Sequence, residues 1–149
     1  MVEKILLLLT FLAPTPDVPP APSLVDNWSK LVIDISEQRL YVYDSSELLV
    51  KTIPVSTGAP ATPTPLGTYK VYSKSAKTFV RDNPSVTMNH MVRFNKNIGF
   101  HSIPRNNGVP MYTPLGKIPV SHGCVRLSDE NARELYNKTN NETKVIVRK

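Results

Sequence analysis

Over most of the chain, apolar residues fall in short runs broken by polar punctuation rather than at helical spacing. Leu31-Val32-Ile33-Asp34-Ile35 is a compact apolar run, Ser36-Glu37-Gln38 reads as a turn, and Leu40-Tyr41-Val42-Tyr43 resumes with β-branched and aromatic residues, which predicts a hairpin. Leu48 to Val55 predicts a third strand and Gly67 to Tyr72 a fourth. Thr57 to Leu66 between them is too rich in Pro and Gly to be other than a loop. Short strands are expected around Thr78–Val80, Val86–Phe94 and Ile98–His101. One segment changes period. Ser128 supplies an N-cap, Asp129 and Glu130 place acids in the first turn, and Ala132, Leu135 and Tyr136 recur at helical spacing. Asn140-Asn141 is expected to end that helix, and Lys144 to Arg148 to close the chain as a strand. The pattern predicts a mainly β domain, a small sandwich or barrel with one C-terminal helix before the last strand.

The 149 residues suffice for one domain with its own core. Ahead of it, Ile5 to Ala13 is an apolar run behind a short head, too short for the roughly 18 residues of a spanning helix and of the length of a secretory signal core. Pro14, Pro16, Pro19, Pro20 and Pro22 follow, a density that favours an extended spacer outside any sheet. Residues 1–29 are therefore expected to be leader and linker, and residues 30–149 the folded body. The net charge of +6 is unevenly placed: from Asn83 to Ser128 there is no Asp or Glu, while Arg93, Lys96, Arg105, Lys117 and Arg126 all fall there. Such a surface suits an anionic polymer, although charge alone reads as readily as a solubilising face balanced by acids elsewhere. Nucleic acid is disfavoured, because no aromatic platform is interleaved with these bases.

The single cysteine, Cys124, excludes a disulfide framework and a Cys-based zinc ribbon. A lone Cys is ordinarily a small buried hydrophobe. Here it sits in Ser121-His122-Gly123-Cys124-Val125-Arg126, with Gly99-Phe100-His101-Ser102 ahead of it. A thiol needs a base or a cationic neighbour to act as a nucleophile at neutral pH, and His101 or His122 could supply one. The competing chemistry is a metal site of His101, His122 and Cys124, which lacks an obvious fourth ligand apart from His90 or water and has no acid nearby to orient the ligands. With no Asp or Glu in the region, a histidine there would have to be oriented by a backbone carbonyl or an Asn.

These residues resemble the L,D-transpeptidase catalytic domain of the YkuD family over roughly Lys30 to Lys149. The S-H-G-C-V-R run of Ser121 to Arg126, preceded by the isolated His101, carries the resemblance; Val55 to Gly58 (V-S-T-G) and Thr64 to Tyr69 (T-P-L-G-T-Y) agree in order. Two features depart from the family. The gap from His101 to Ser121 is longer than usual, so Arg105 to Lys117 is expected to include an extra loop over the cleft, and Arg126 stands where some family motifs have Asn.

The resemblance implies specific chemistry with no metal and no organic cofactor. Cys124 would attack the carbonyl of the third residue of a peptidoglycan stem peptide, release the terminal D-alanine and pass the acyl group to an amine as a 3→3 cross-link. His101 would be the general acid/base, oriented by the main-chain carbonyl of Ser102. Backbone N–H groups of the His122-Gly123-Cys124 loop would hold the oxyanion, with His122 keeping that loop in place. Arg126 would anchor a substrate carboxylate or brace the loop, and Ser121 and His90 are further candidates for substrate contact. Stem peptides are the expected partner and the bacterial envelope, outside the cytoplasm, the expected location. Alternatives are an L,D-carboxypeptidase using water as acceptor, or an inactive wall-binding domain.

Overall fold

The computed structural model describes residues 27–149. The expected leader and linker lie outside the described residues, apart from 27–29. Two sheets share one core. The first runs in the order β3 (Leu49–Pro54), β2 (Arg39–Tyr43), β1 (Lys30–Asp34), β11 (Lys144–Arg148), β4 (Gly67–Lys70). Its β1 and β11 pair in parallel, with Leu31 level with Val145 and Ile33 level with Val147. Central strands with both faces covered read as continuous apolar runs, which is why Leu31 to Asp34 is buried without alternation.

The second sheet runs β10 (Val125–Leu127), β7 (Ile98–Ser102), β6 (Asn83–Asn95), β8 (Arg105–Asn106), β9 (Val109–Pro110), and β5 (Ser73–Val80) forms a long hairpin with β6. The helix α1 (Asp129–Lys138) is capped as its sequence requires: Ser128 Oγ accepts from the Asn131 N–H at 3.2 Å, and Asp129 and Glu130 occupy the first turn. It ends slightly earlier than expected, with Thr139 as C-cap, its N–H donating to the Leu135 carbonyl at 3.2 Å. Lys74 of β5 donates to the carbonyls of Tyr136 and Thr139, satisfying the helix end from the neighbouring hairpin. The buried face of α1, Ala132 and Leu135, joins Phe100, Val125 and Leu127 of the second sheet and Leu31, Ile33 and Val147 of the first.

The mainly β architecture with one helix is the expected one. The differences are local. The body begins before Lys30: Trp28 is 2% exposed, its N–H donates to the Lys138 carbonyl at 2.9 Å, and its own carbonyl accepts from Thr143 Oγ1 at 2.9 Å. The strand expected at Thr78–Val80 starts at Ser73. The segment after His101 contains the two short strands β8 and β9, with Val86 of β6 level with Asn106.

Candidate active site

The sheet pleat decides which side chains meet. Val92 of β6, Phe100 of β7 and Val125 of β10 form one row, and all three are fully buried in the core. Because successive residues face opposite ways along a strand, Met91 and Arg93, Gly99 and His101, and Cys124 and Arg126 turn to the other face. There all but Gly99 line a cleft of about 700 Å³. The tip of the β5–β6 hairpin walls one side with Phe79 and Val80, and Pro104 and Met111 contribute from the segment after β7. The Arg105–Lys117 segment, expected over the cleft, thus forms part of its wall.

The loop before β10 is held from below by the segment that reads as an irregular Pro-rich loop. The Ser121 N–H donates to the Thr57 carbonyl at 3.1 Å, and the Ser121 carbonyl accepts from the Ala59 N–H at 2.8 Å and from Thr62 Oγ1 at 2.9 Å. Thr64 Oγ1 accepts from the Gly58 N–H at 3.0 Å and donates to the Gly123 carbonyl at 2.7 Å. Ser121 Oγ donates to the Cys124 carbonyl and accepts from the Gly123 N–H at 3.0 Å. Gly123 has φ +129°, a conformation open only to glycine, and a Cβ there would lie 3.3 Å from Ile98 Cδ1.

His101 is 2% exposed, and its Nδ1 lies 2.6 Å from the Ser102 carbonyl. A carbonyl can only accept, so Nδ1 carries the proton and Nε2 is left with its lone pair. Burial pulls the imidazole down to about 4, opposed by the Ser102 carbonyl and reinforced by the Arg126 charge. His101 is therefore a neutral base at pH 7. Cys124 is half-buried, with Sγ 3.6 Å from the Asn97 carbonyl. Burial pushes its thiol up, while the Gly99 N–H and the charges of Arg93 and Arg126 pull the other way. Both side chains thus rest uncharged at pH 7, one a neutral thiol and the other a neutral imidazole.

The sequence candidates divide accordingly. His101, Cys124, His122, Arg126 and Ser121 line one cleft, and the Ser102 carbonyl lies 2.6 Å from His101 Nδ1. His122 is exposed, and the bonds that hold the loop come from Ser121 and Thr64 instead. Ser121, a candidate for substrate contact, has its hydroxyl engaged inside the loop on both sides. The Gly123 N–H, expected to hold an oxyanion, is already bonded to that hydroxyl. Arg126 is bridged to Ser56 through its backbone, and its guanidinium makes one long contact, Nη1 to Thr113 Oγ1 at 3.4 Å, with a buried Nε that has no partner. His90 is not in the cleft wall: it takes φ +55° and sets its ring edge-on to Tyr136 of α1, with centroids 5.5 Å apart. Arg105 is paired with Asp129 at 2.7 Å, so its charge is matched by an acid just beyond the acid-free stretch. Among the described residues no group of three or more His, Cys, Asp and Glu side chains gathers to hold a metal ion, and His101, His122 and Cys124 do not form one. Sequence reasoning missed Asn97 and the Gly99 N–H as neighbours of the sulfur, and the cradle formed by Thr57, Gly58, Thr62 and Thr64.

The L,D-transpeptidase catalytic domain, YkuD, matches residues 29–147. The chain belongs to that family. L,D-transpeptidase 1 of Mycobacterium tuberculosis is 32% identical over 114 residues, covering 68% of this chain and 43% of that protein. Among solved structures, an L,D-transpeptidase from Mycobacterium smegmatis superposes with a TM-score of 0.67 at 29% identity, over 80% of this chain and 58% of that one. L,D-transpeptidase 3 from Mycobacterium tuberculosis, solved with a faropenem-derived adduct, gives 0.65 at 27% identity over 80% of this chain and 60% of that one. This YkuD domain thus spans less than half the length of the curated relative. No helix among its described residues is long and apolar enough to cross a membrane.

Proposed function

We propose that this YkuD domain is a cysteine acyltransferase, an L,D-transpeptidase acting on peptidoglycan stem peptides outside the cytoplasm. The observation that carries the reading is His101: buried, neutral, its Nδ1 fixed by the Ser102 carbonyl, and on the same cleft face as the only cysteine. In the first half-reaction the Cys124 thiol adds to the carbonyl of the third stem residue as its proton passes to His101 Nε2. The oxyanion of the tetrahedral adduct is met by the backbone N–H of Cys124, the Gly123 N–H being taken. Collapse breaks the peptide bond, His101 returns the proton to the departing amino group of D-alanine, and a thioester remains on Cys124. In the second half-reaction an acceptor amine on a neighbouring stem adds to the thioester. His101 takes its proton and gives it to the departing sulfur, leaving a 3→3 cross-link and a free thiol. Arg126, half-buried with unassigned donors, binds a substrate carboxylate.

The test is incubation with purified muropeptides followed by mass analysis of both protein and products. A donor tetrapeptide should leave an acyl adduct on the wild type and none on Cys124→Ala, with a cross-linked dimer accumulating. A tripeptide product without dimer would make water the acceptor and the domain a carboxypeptidase. The absence of any adduct would overturn the assignment of Cys124 as nucleophile.

A further inference from the structure

Besides Arg126, two guanidinium groups that the chemistry above leaves unused line the cleft: Arg81 at the tip of the β5–β6 hairpin, and Arg93 on the same sheet face as the sulfur. Arg93 of β6 pairs with Gly99 of β7, and Cys124, one residue ahead of β10, comes level with that same glycine. The three form a row across the sheet whose middle member, Gly99, has no side chain, and the charge of Arg93 acts on the sulfur. Arg126 lies two residues along the strand from the thiol, level with His101, and its charge acts on the sulfur as well. Arg93 gives one N–H to Ser75 Oγ at 2.9 Å. A guanidinium has five such donors, so both arginines keep most of theirs unassigned, and the Arg126 Nε is buried without an acceptor. No Asp or Glu lines the cleft. A buried donor without an acceptor is costly, and the Arg126 Nε together with the half-buried Arg93 guanidinium, both charged and both in the cleft lining, is complementary to an anion bound beside the nucleophile.

We propose that Arg93 is a specificity-determining residue that, with Arg126, clamps the free α-carboxylate of the residue that leaves. The inference rests on the transpeptidase reading and adds a restriction to it: only a bond one residue from a chain end is cleaved. Adjacent Cα atoms are ~3.8 Å apart, so the carboxylate of a single departing residue is obliged to lie next to the attacked carbonyl. That proximity sets a negative charge beside a sulfur that must itself become anionic. Two guanidinium groups whose charges both act on the sulfur offset the repulsion and fix the carboxylate through planar forks of donors. A donor extended or amidated at its C-terminus would leave the fork unfilled.

The experiment uses two donors that differ only at the C-terminus, a free acid and its primary amide, with the wild type, Arg93→Gln and Arg93→Lys. The wild type should favour the acid by on the order of 100-fold in kcat/KM. Arg93→Gln should lower that ratio to about tenfold or less, chiefly through KM for the acid, and Arg93→Lys should restore part of it. An adduct forming equally well from acid and amide on the wild type overturns the clamp and leaves the transpeptidase reading intact. So does an Arg93→Gln variant that loses activity on both donors in proportion, since that is the signature of an effect through the thiol or the fold. Should Arg93→Gln fail to fold, the wild-type ratio alone decides. No adduct from either donor on the wild type overturns the transpeptidase reading and the clamp together.

Discussion

Burying His101 uncharged makes the domain acid-labile in a window that can be calculated. In the unfolded chain its imidazole takes up a proton near the ordinary value of 6.5, whereas in the folded domain it does so only near about 4. Between those values the unfolded state binds more protons, so stability falls as the pH is lowered through the window and levels off below it. Each unit of pKa difference is worth ~1.4 kcal/mol. The full contribution is therefore about 3 kcal/mol, of which about 2 kcal/mol is lost between pH 7 and pH 4.5. That is a large share of the 5–15 kcal/mol typical of a domain. The assay is urea unfolding followed by the fluorescence of Trp28, which is the only tryptophan and is buried in the core. His101→Gln removes the titrating group, and the difference between the two proteins in their loss of stability from pH 7 to 4.5 isolates it from the carboxylates and from His90 and His122. The wild type should lose about 2 kcal/mol more than the variant. Parallel losses would mean that His101 is charged or solvated in the folded state, and the neutral-pair account of the site would fall.

The raised Cys124 thiol predicts that iodoacetamide alkylation keeps accelerating above pH 9; a rate that levels off below pH 8 would indicate a preformed thiolate–imidazolium pair. Ser121→Ala should cost ~1–3 kcal/mol in urea unfolding, because it strips the Gly123 N–H and the Cys124 carbonyl of their buried partner, and an unchanged midpoint would contradict the bracing role. Trp28→Ala should cost ~3–5 kcal/mol in the same assay, and a chain begun at Lys30 should be destabilised as much. Binding to isolated sacculi should weaken as salt is raised, since exposed Lys96 and Lys117 act at a distance screened within ~8 Å at physiological ionic strength; salt-independent binding would reduce them to solubilising charges.

What could be read in the sequence follows from the range of each interaction. The apolar strands and the helix were legible because alternation and capping are local: Leu40 and Val42 buried between half-buried neighbours, or Ser128 against Asn131. β10 has three residues and β8 and β9 two each, too short to carry a period. The first half of β5, Ser73 to Lys77, pairs only with β6 and turns Lys74 to the carbonyls at the end of α1 rather than into the core, so no apolar run marks it. Trp28 hides behind a proline-rich stretch, and its partners, Lys138 and Thr143, lie at the far end of the chain. The site divides in the same way. Cys124 and His101 stand out by residue type within a specific motif. The cradle does not, because Thr64 meets Gly123 across 59 positions through a hydroxyl and a carbonyl that any loop would offer. His122 illustrates the converse: its position two residues from the cysteine suggested a loop-holding part that the neighbouring Ser121 hydroxyl performs.

The parallel pairing of β1 with β11 governs the order in which the domain can assemble. β11 sits between β1 and β4, so the first sheet has no continuous centre until the last strand arrives. Joining two strands that lie at opposite ends of the fold demands closure of nearly the whole chain before any of that contact is rewarded. The β5–β6 hairpin can close early on local contacts, whereas the first sheet forms late and slowly, in the milliseconds-to-seconds range of β topologies rich in distant pairings. During biosynthesis Leu31, Ile33 and the rest of β1 remain uncovered until Val145 and Val147 have been made. Loss of those few closing residues would split the first sheet while leaving every catalytic candidate in the polypeptide.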